Sequence, residues 1–279
     1  MTWDLHVHSH HSWDGDPTAT LANLALRCAE EGLTGIALTD HVDSTPIGLN
    51  ARRPARPWDY ALLITELSDR PGLDVKAPVL LTGVEYGEPH LNKDEFLSFI
   101  GRWNPTVVNA SVHAVPENGA LVAIETLASH YPGDDLMRRS LRESLALLEA
   151  QLPITALSHV DYPLRFTQAG SYDANEYRDL LEGVLNAASD SDVALEVNTR
   201  RGTGFYEWFL ELDPQLSTTL SLASDAHTPA ALANGVKRAE ARFLHLGYNT
   251  CRYRPHMLCR NHQCHTMLAG DSHRRRSGQ

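Results

Sequence analysis

The chain has 279 residues, of which 42% are hydrophobic, so it can bury a large core, and α/β barrels of this length form a single domain. Its formal net charge of −11 argues against a protein that binds nucleic acid by neutralising phosphates. The sequence has no run of roughly 18 apolar residues that would predict a membrane span, and its first residues do not resemble a secretory signal. Because the four cysteines form no regular disulfide pattern, we expect a cytoplasmic protein.

Short runs with the composition of β-strands alternate with helical patterns along the chain. The seven strand candidates are residues 3–8, 35–40, 79–86, 110–114, 154–159, 193–198 and 219–224. Helical patterns lie between them, among them residues 21–31, 60–69, 136–152, 174–188 and 229–246. In the third helical pattern, leucines recur at spacings that place them on one buried face: Leu141, Leu145, Leu148 and Leu152.

The alternation of strands and helices predicts an α/β fold in which parallel strands are joined by right-handed crossovers. With about seven such units, we expect the sheet to close into a barrel that spans residues 1–249. Residues 250–279 form a basic tail with six arginines and one aspartate, which we expect to be partly disordered. A structural zinc site built on the cysteines and histidines of this tail is the alternative.

The first strand carries two histidines that point to the same side. Trp3, Leu5 and Val7 alternate with Asp4, His6 and His8, which is the period of a β-strand. Neutral imidazole is a common ligand of zinc, iron, nickel and copper. His6 and His8 are therefore candidate metal ligands, whereas we interpret the neighbouring His10 and His11 as exposed loop histidines.

Polar side chains of the metal-ligand type follow every predicted strand. They are His6 and His8, Asp40 and His41, Glu85, His113, His159 and Asp161, Glu196 and Asn198, and Asp225 and His227. In a parallel barrel, the carboxyl ends of the strands meet at one face, where the chemistry takes place. A single such residue is more often a hydrogen-bonded structural group, but seven strands together predict a metal centre.

The segments "DLHVH", "TDH", "GVE", "SVH", "SHVD", "EVNTR" and "SDAH" occur in this order. In this respect the chain resembles the PHP (polymerase and histidinol phosphatase) superfamily, above all its histidinol-phosphate phosphatases, over roughly residues 1–248. The resemblance implies a distorted seven-stranded (β/α) barrel that resembles the TIM barrel. It also implies three divalent metal ions at the carboxyl ends of the strands.

The resemblance also implies how nine ligands divide among the three metals. The first metal would take His6, His8, Glu85 and Asp225. Glu85 would bridge to a second metal, completed by His113 and His159. The third would be held by Asp14, His41 and His227. Many relatives carry histidine where this chain has Asp14, and the harder carboxylate favours manganese or iron over zinc.

A centre of this kind suits the hydrolysis of a phosphomonoester. Three divalent cations outweigh three carboxylates and a hydroxide, so the site would attract a phosphate dianion. Metal binding lowers the pKa of water to about 7, so a bridging hydroxide would be available as the nucleophile. By the resemblance, Arg165 and Arg201 would bind the phosphate, with Arg200 as the alternative to Arg201. A guanidinium fork can hold two phosphate oxygens at once.

The remaining carboxylates near the strand ends leave alternatives open. Besides Glu85 and Asp225, we expect Asp161 to take part in catalysis. Asp161 and Asp40 would either orient ligand histidines or donate a proton to the leaving group. Three further carboxylates would either meet a cationic substrate amine or form structural salt bridges: Glu88, Glu196 and Glu207.

We therefore predict a metal-dependent phosphatase that acts on L-histidinol phosphate in histidine biosynthesis. The alternatives are a related enzyme for another small phosphoester, such as a nucleotide bisphosphate, and a non-catalytic or proofreading-accessory module. The expected partner is a small phosphorylated substrate, without nucleic acid or membrane. The sequence leaves the oligomeric state and the choice among zinc, manganese and iron open.

Overall fold

The computed structural model of the chain describes residues 1–43, 60–68, 77–166, 174–211, 218–251, 254 and 256–259. In these ranges the strands are β1 (Trp3–Val7), β2 (Gly35–Leu38), β3 (His41–Val42), β4 (Val79–Gly87), β5 (Val107–Ser111), β6 (Ala114–Glu117), β7 (Ala120–Ala123), β8 (Ala156–Leu157), β9 (Ala194–Asn198), β10 (Leu220–Ala223), β11 (Asn249–Thr250) and β12 (Leu258–Cys259). The α-helices are α1 (Leu21–Glu30), α2 (Tyr60–Ser68), α3 (Lys93–Trp103), α4 (Ile124–Leu127), α5 (Gly133–Glu149), α6 (Arg178–Asp190), α7 (Gly204–Glu211) and α8 (Val236–His245). Short 3-10 helices lie at Tyr162–Phe166, Ala174–Tyr177 and Pro229–Ala231.

A single curled sheet forms the centre of the fold. Its strand order within the described residues is β1-β2-β4-β5-β8-β9-β10-β12-β11, and β3 pairs with β4. Neighbours from β1 to β10 are parallel, whereas β12 is antiparallel to β10 and to β11. A two-stranded antiparallel hairpin, β6 and β7, stands apart from it. The predicted α/β class with parallel strands is confirmed, and the sheet is curled.

The chain beyond β10 returns to β1. The Asp225 amide donates to the His6 carbonyl at 3.0 Å, and the His8 amide donates to the Ala226 carbonyl at 2.8 Å. The buried Asp4 carboxylate adds to this link, because it accepts hydrogen bonds from the amides of Ser224 at 2.9 Å and Ala233 at 3.0 Å. These contacts hold the first and last parallel strands side by side.

Each predicted strand overlaps a strand of the parallel series, with differences at the ends. The fourth begins at Val107, before its predicted start, because Val107 and Val108 are both buried. It stops at Ser111, and shortly beyond it the Glu88 carboxylate accepts the amides of His113 at 2.6 Å and Ala114 at 2.8 Å. The sheet also has more strands than the predicted seven, since β3, β11 and β12 join it.

Helices cover the sheet with apolar faces. Helix α1 begins at the Thr20 cap, whose hydroxyl accepts the Asn23 amide at 3.2 Å, and it buries Leu21, Leu24 and Cys28. On α5, Leu141 and Leu148 are buried and Leu145 packs against the same core, as the spacing predicts. Leu152, predicted on the same face, lies beyond the end of α5 and packs against a different cluster. Within the described residues, no helix is long and apolar enough to cross a membrane.

The segment after residue 249 contributes to the sheet. Met257, Leu258 and Cys259 are buried, and Leu258 pairs with Leu220 of β10. Cys251 is disulfide-bonded, although the spacing of the cysteines showed no regular disulfide pattern. The rest of the tail, from residue 260, lies outside the described residues, as does the zinc site considered there. The domain boundary at residue 249 stays a prediction.

The contacts of Gly35 generate a prediction about stability. A Cβ at Gly35 would lie 2.4 Å from the Trp3 ring and 2.4 Å from the Val79 carbonyl, because β2 runs tightly between β1 and β4. We expect Gly35→Ala to lower the free energy of unfolding by about 1–3 kcal/mol. Gly101→Ala is the matched control, since nothing lies within 4 Å of its added methyl group in α3. It should raise stability by about 0.5–1 kcal/mol. Equal urea midpoints for the two variants would contradict this explanation.

Candidate metal centre

The carboxyl ends of the parallel strands bring the predicted ligands together. His6 and His8 lie at the end of β1 with no exposed surface, and Glu85 lies in β4 with 1% exposed. Asp225 follows β10 in the left-handed backbone conformation, with φ of 55°, which aspartate tolerates better than most residues. The remaining predicted ligands lie in the loops or short strands that follow the same edge: Asp14, His41, His113, His159 and His227.

Glu85 lies at the centre of the cluster and contacts five imidazoles. Its Oε2 atom lies 2.9 Å from His6 Nε2, 3.3 Å from His8 Nε2 and 3.2 Å from His41 Nδ1. Its Oε1 atom lies 3.0 Å from His113 Nε2 and 2.9 Å from His159 Nε2. A carboxylate placed in this way can bridge two cations, as the resemblance implies for Glu85.

Asp14 and Asp225 hold the other side of the cluster. The Asp14 Oδ2 atom lies 2.9 Å from His227 Nε2 and 3.3 Å from His41 Nε2. The Asp225 Oδ1 atom lies 3.4 Å from His8 Nε2 and 3.6 Å from His227 Nδ1. His8 thus lies between Glu85 on one side and Asp14 and Asp225 on the other.

The donor atoms form four overlapping groups in which three or more lie within 4.8 Å of one another. The groups are His8, Asp14, His41 and His227; His6, His8 and Asp225; His6, Glu85 and His159; and His41, Glu85 and His113. All nine predicted ligands therefore lie in these groups. Imidazole nitrogens mixed with carboxylate oxygens suit zinc, manganese and iron. His8 Nε2 and His41 Nδ1 are buried and have no hydrogen-bond partner among the described residues, which fits atoms that face a cation.

The electrostatics of the cluster favour ionised carboxylates and a neutral His8, whereas Glu196 and Glu85 outweigh burial and raise the pKa of His6. Burial, together with the nearby His227, lowers the pKa of His8 to about 3, so its imidazole is neutral and can bind a metal. Burial opposes ionisation of Glu85, but His41 and His6 outweigh it and hold the pKa of this carboxyl well below its usual value. The pKa of Asp14 is lowered in the same way, because hydrogen bonds from His227 and His41 outweigh its burial.

An outer layer of buried polar groups orients the ligands. The Glu196 carboxylate lies 2.7 Å from His6 Nδ1, which leaves Nε2 of that ring facing Glu85. Asn198 donates to Glu196 at 2.9 Å, and Ser111 donates to Glu85. Glu88 fixes the backbone of His113 through the two amide contacts described above. Glu196 and Glu88 therefore hold clustered residues in place. This supports a structural role for these two carboxylates over contact with a substrate amine.

A cavity of about 760 Å³ opens above the cluster. Arg165 borders it and lies 2.6 Å from the Asp225 Oδ2 atom, with only 13% of its side chain exposed. Arg200 also borders the cavity and lies 3.5 Å from the same oxygen, and Arg201 lines the rim without an ion pair among the described residues. The structure thus brings Arg165, Arg200 and Arg201 to one cavity.

Other predicted residues lie outside the cavity lining. Asp161 is buried, 3% exposed, and accepts a hydrogen bond from the Tyr206 hydroxyl at 2.5 Å. Asp40 is buried and accepts hydrogen bonds from the amide and hydroxyl of Ser9. Glu207 forms an ion pair with Arg242 at 2.8 Å. This favours a structural salt bridge over contact with a substrate amine. The positions of Asp161 and Asp40 favour an orienting role over contact with a substrate.

The interpretation of His10 and His11 as exposed loop histidines is wrong. Their side chains are only 27% and 15% exposed, because both rings lie against Glu66 of α2. Sequence spacing could not show this contact, since more than fifty residues, which include α1, β2 and β3, separate His11 from Glu66 in the chain.

Sequence reasoning missed four side chains that line the cavity: Trp13, Glu125, Tyr162 and Phe166. Trp13, Tyr162 and Phe166 are each directly adjacent to a predicted site residue, so their neighbourhood could have been noticed. Glu125 lies on α4, after the β6–β7 hairpin, and follows no strand of the parallel series. Only the three-dimensional structure places it at the cavity.

Comparison with known proteins agrees with these observations. The PHP domain family matches residues 4–200. A protein of Clostridium acetobutylicum named "Probable histidinol-phosphatase" is 26% identical over 72% of this chain and 74% of its own length. A Thermotoga maritima protein of the same name is 24% identical over 84% of this chain and 88% of its own length.

A solved structure has the same fold. Histidinol phosphate phosphatase from Lactococcus lactis, complexed with zinc, L-histidinol and phosphate, has a TM-score of 0.68 and 22% identity, and covers 87% of this chain and 92% of that chain. Since the family match spans well over half of the sequence and includes most of the clustered ligands, the chain belongs to the PHP domain family.

Proposed function

We propose that the protein is a metal-dependent phosphatase that hydrolyses L-histidinol phosphate to L-histidinol and phosphate. The observation that carries this proposal is the Glu85 carboxylate among five imidazoles, directly below a cavity bordered by arginines. Membership of the PHP domain family and the names of the two relatives support the same activity. We also propose that the parallel strands β1 to β10 correspond to the distorted (β/α)7 barrel implied by the resemblance.

The nine clustered residues would hold three divalent ions, zinc, manganese or iron. Ions bound there would stabilise charge on the transferring phosphoryl group and lower the pKa of water. Glu85 and Asp225 would hold the ions closest to the reacting phosphate, and Asp14 would give the third site a harder oxygen donor. Glu196 would keep the Nε2 atom of His6 aimed into the cluster.

Arg165 is the best placed residue for binding the phosphate. Its guanidinium carbon lies 5.0 Å from the centre of the Tyr162 ring, and its contact with Asp225 holds it at the cavity wall. Buried Asp161 is one of the charges that act on Arg165, so we assign Asp161 a positioning role. Arg200 and Arg201, both exposed, would close over the phosphate from the rim.

The cavity also offers groups that suit the leaving group. L-histidinol carries an ammonium group and an imidazole, and Glu125 is a carboxylate at the cavity wall. Trp13 and Phe166 line the same cavity and could pack against an imidazole ring. A complete set of ligands beside such a cavity favours an enzyme over a non-catalytic module.

The first prediction from the proposed function concerns the activity itself. We expect the metal-loaded protein to hydrolyse histidinol phosphate with a higher kcat/KM than nucleotide bisphosphates or p-nitrophenyl phosphate, and a chelator to abolish turnover. His8→Ala should lower kcat by more than about 100-fold, since removing a ligand costs at least as much as removing an outer partner. The exposed His130→Ala is the control and should retain activity. Equal rates on all monoesters would reject histidinol phosphate as the substrate.

The second prediction concerns Arg165. Arg165→Lys keeps the charge but loses the planar fork, so kcat/KM should fall by about 10- to 100-fold. The inhibition constant for inorganic phosphate should rise as well, which separates phosphate binding from a purely structural role. Arg139→Lys is the control, because Arg139 pairs with Glu117 away from the cavity. Unchanged phosphate inhibition in Arg165→Lys would refute its role.

The third prediction concerns Glu125. Glu125→Gln should raise KM for histidinol phosphate about twofold to fivefold, which is the range for an exposed ion pair. It should leave KM for p-nitrophenyl phosphate unchanged, because that substrate has no amine. Glu149→Gln, exposed at the end of α5, is the control. An equal change in KM for both substrates would show that Glu125 does not bind the substrate amine.

A further inference from the structure

A second group of metal-type donors lies apart from the nine clustered ligands. His10 and His11 belong to the loop after β1, and Glu66 belongs to α2. One oxygen of Glu66, Oε2, lies 2.7 Å from His11 Nε2 and 3.6 Å from His10 Nε2. One donor atom from each residue lies within 4.8 Å of the other two.

The backbone holds the two histidines in this arrangement. The His10 amide donates to the Ala19 carbonyl at 3.0 Å, and the His11 amide donates to the Ser9 hydroxyl at 3.1 Å. Ser9 is anchored in turn on the buried Asp40 carboxylate. As a result, the two rings lie side by side, with their centroids 4.0 Å apart. Two consecutive side chains thus face one carboxylate, although neighbouring residues usually diverge.

The spacing of the donors is close to that of a tetrahedral ion. Ligand atoms at about 2.0–2.1 Å from zinc stand roughly 3.3 Å from one another. The two Glu66 contacts fall on either side of this separation, so small side-chain rotations would satisfy it. Two histidines and one carboxylate are also an established zinc donor set, which leaves the fourth position for water.

A hydrogen bond between a histidine and a glutamate does not account for both rings. His90 and Glu143 form such a pair at 3.0 Å, with one imidazole for one carboxylate. At Glu66, a second imidazole has been brought to the same oxygen, and all three side chains are partly shielded from solvent, at 27%, 15% and 37% exposed. That combination is expected of a metal site with one open side.

We propose that His10, His11 and Glu66 form a peripheral binding site for a divalent transition-metal ion such as zinc. A bound ion would fasten α2 to the loop that carries Asp14, which connects the site mechanically to the central cluster. The proposed site does not depend on the substrate of the enzyme, so it can be tested independently of the proposed function.

The test is the zinc content of the reconstituted full-length protein. Wild type, His11→Gln, Glu66→Gln and the matched control His90→Gln would be dialysed against buffers of rising free zinc and analysed for bound metal. We expect wild type and His90→Gln to bind about one ion more per chain than the other two. The extra ion should raise Tm by about 5–10 °C at zinc concentrations 100-fold above its dissociation constant. That rise should be missing in His11→Gln and Glu66→Gln.

Two outcomes would overturn the proposal. Equal zinc content and equal zinc-dependent Tm in all four proteins would mean that the three side chains form only hydrogen bonds. Loss of the whole metal complement in Glu66→Gln, with circular dichroism still native, would mean that Glu66 supports the central cluster instead. Neither outcome bears on whether histidinol phosphate is hydrolysed.

Discussion

The arrangement of the strands depends on the buried carboxylate of Glu85 and the five imidazoles around it. A charge with 1% exposure is costly to bury unless every lone pair meets a partner. Glu85 meets this requirement through His6, His159 and the Ser111 hydroxyl. His8, His41 and His113 lie close to the same two oxygens, so the five imidazoles arrive from the ends of four strands. The strands must therefore end at a common level, and the curled parallel sheet is the arrangement that achieves this.

A network of further buried polar groups keeps these partners in place. Glu196 fixes a ring, Glu88 fixes a backbone turn, and Asp4 joins β1 to the segment after β10. Burial raises the pKa of Asp4 to about 6, although Ser224 donates hydrogen bonds that oppose the rise. Such networks lower the stability that an apolar core of the same size would give, and they specify one geometry in return. In this fold, the buried polar groups position the side chains of the candidate site more than they stabilise the folded state.

The sequence predicted most of the clustered donors because they lie in or just after recognisable strands, as His6, His8 and Glu85 do, whereas the family resemblance was needed for Asp14. Its strand boundaries failed at β5, which stops at Ser111, and shortly beyond it Glu88 accepts two amides. Position along the chain also could not reveal contacts between distant segments. Glu125 reaches the cavity from a helix that follows no parallel strand, and Glu66 meets His10 and His11 from another element. The arginines were identified as a group, but Arg200 rather than Arg201 contacts Asp225.

The junction between β1 and the segment after β10 has a consequence for biosynthesis. His6 and His8 leave the ribosome more than two hundred residues before Asp225 and His227 do. Until then β1 lacks the neighbour that completes its edge, and an unpaired apolar strand is prone to aggregate. The candidate metal centre therefore cannot be complete until the segment after β10 has been synthesised.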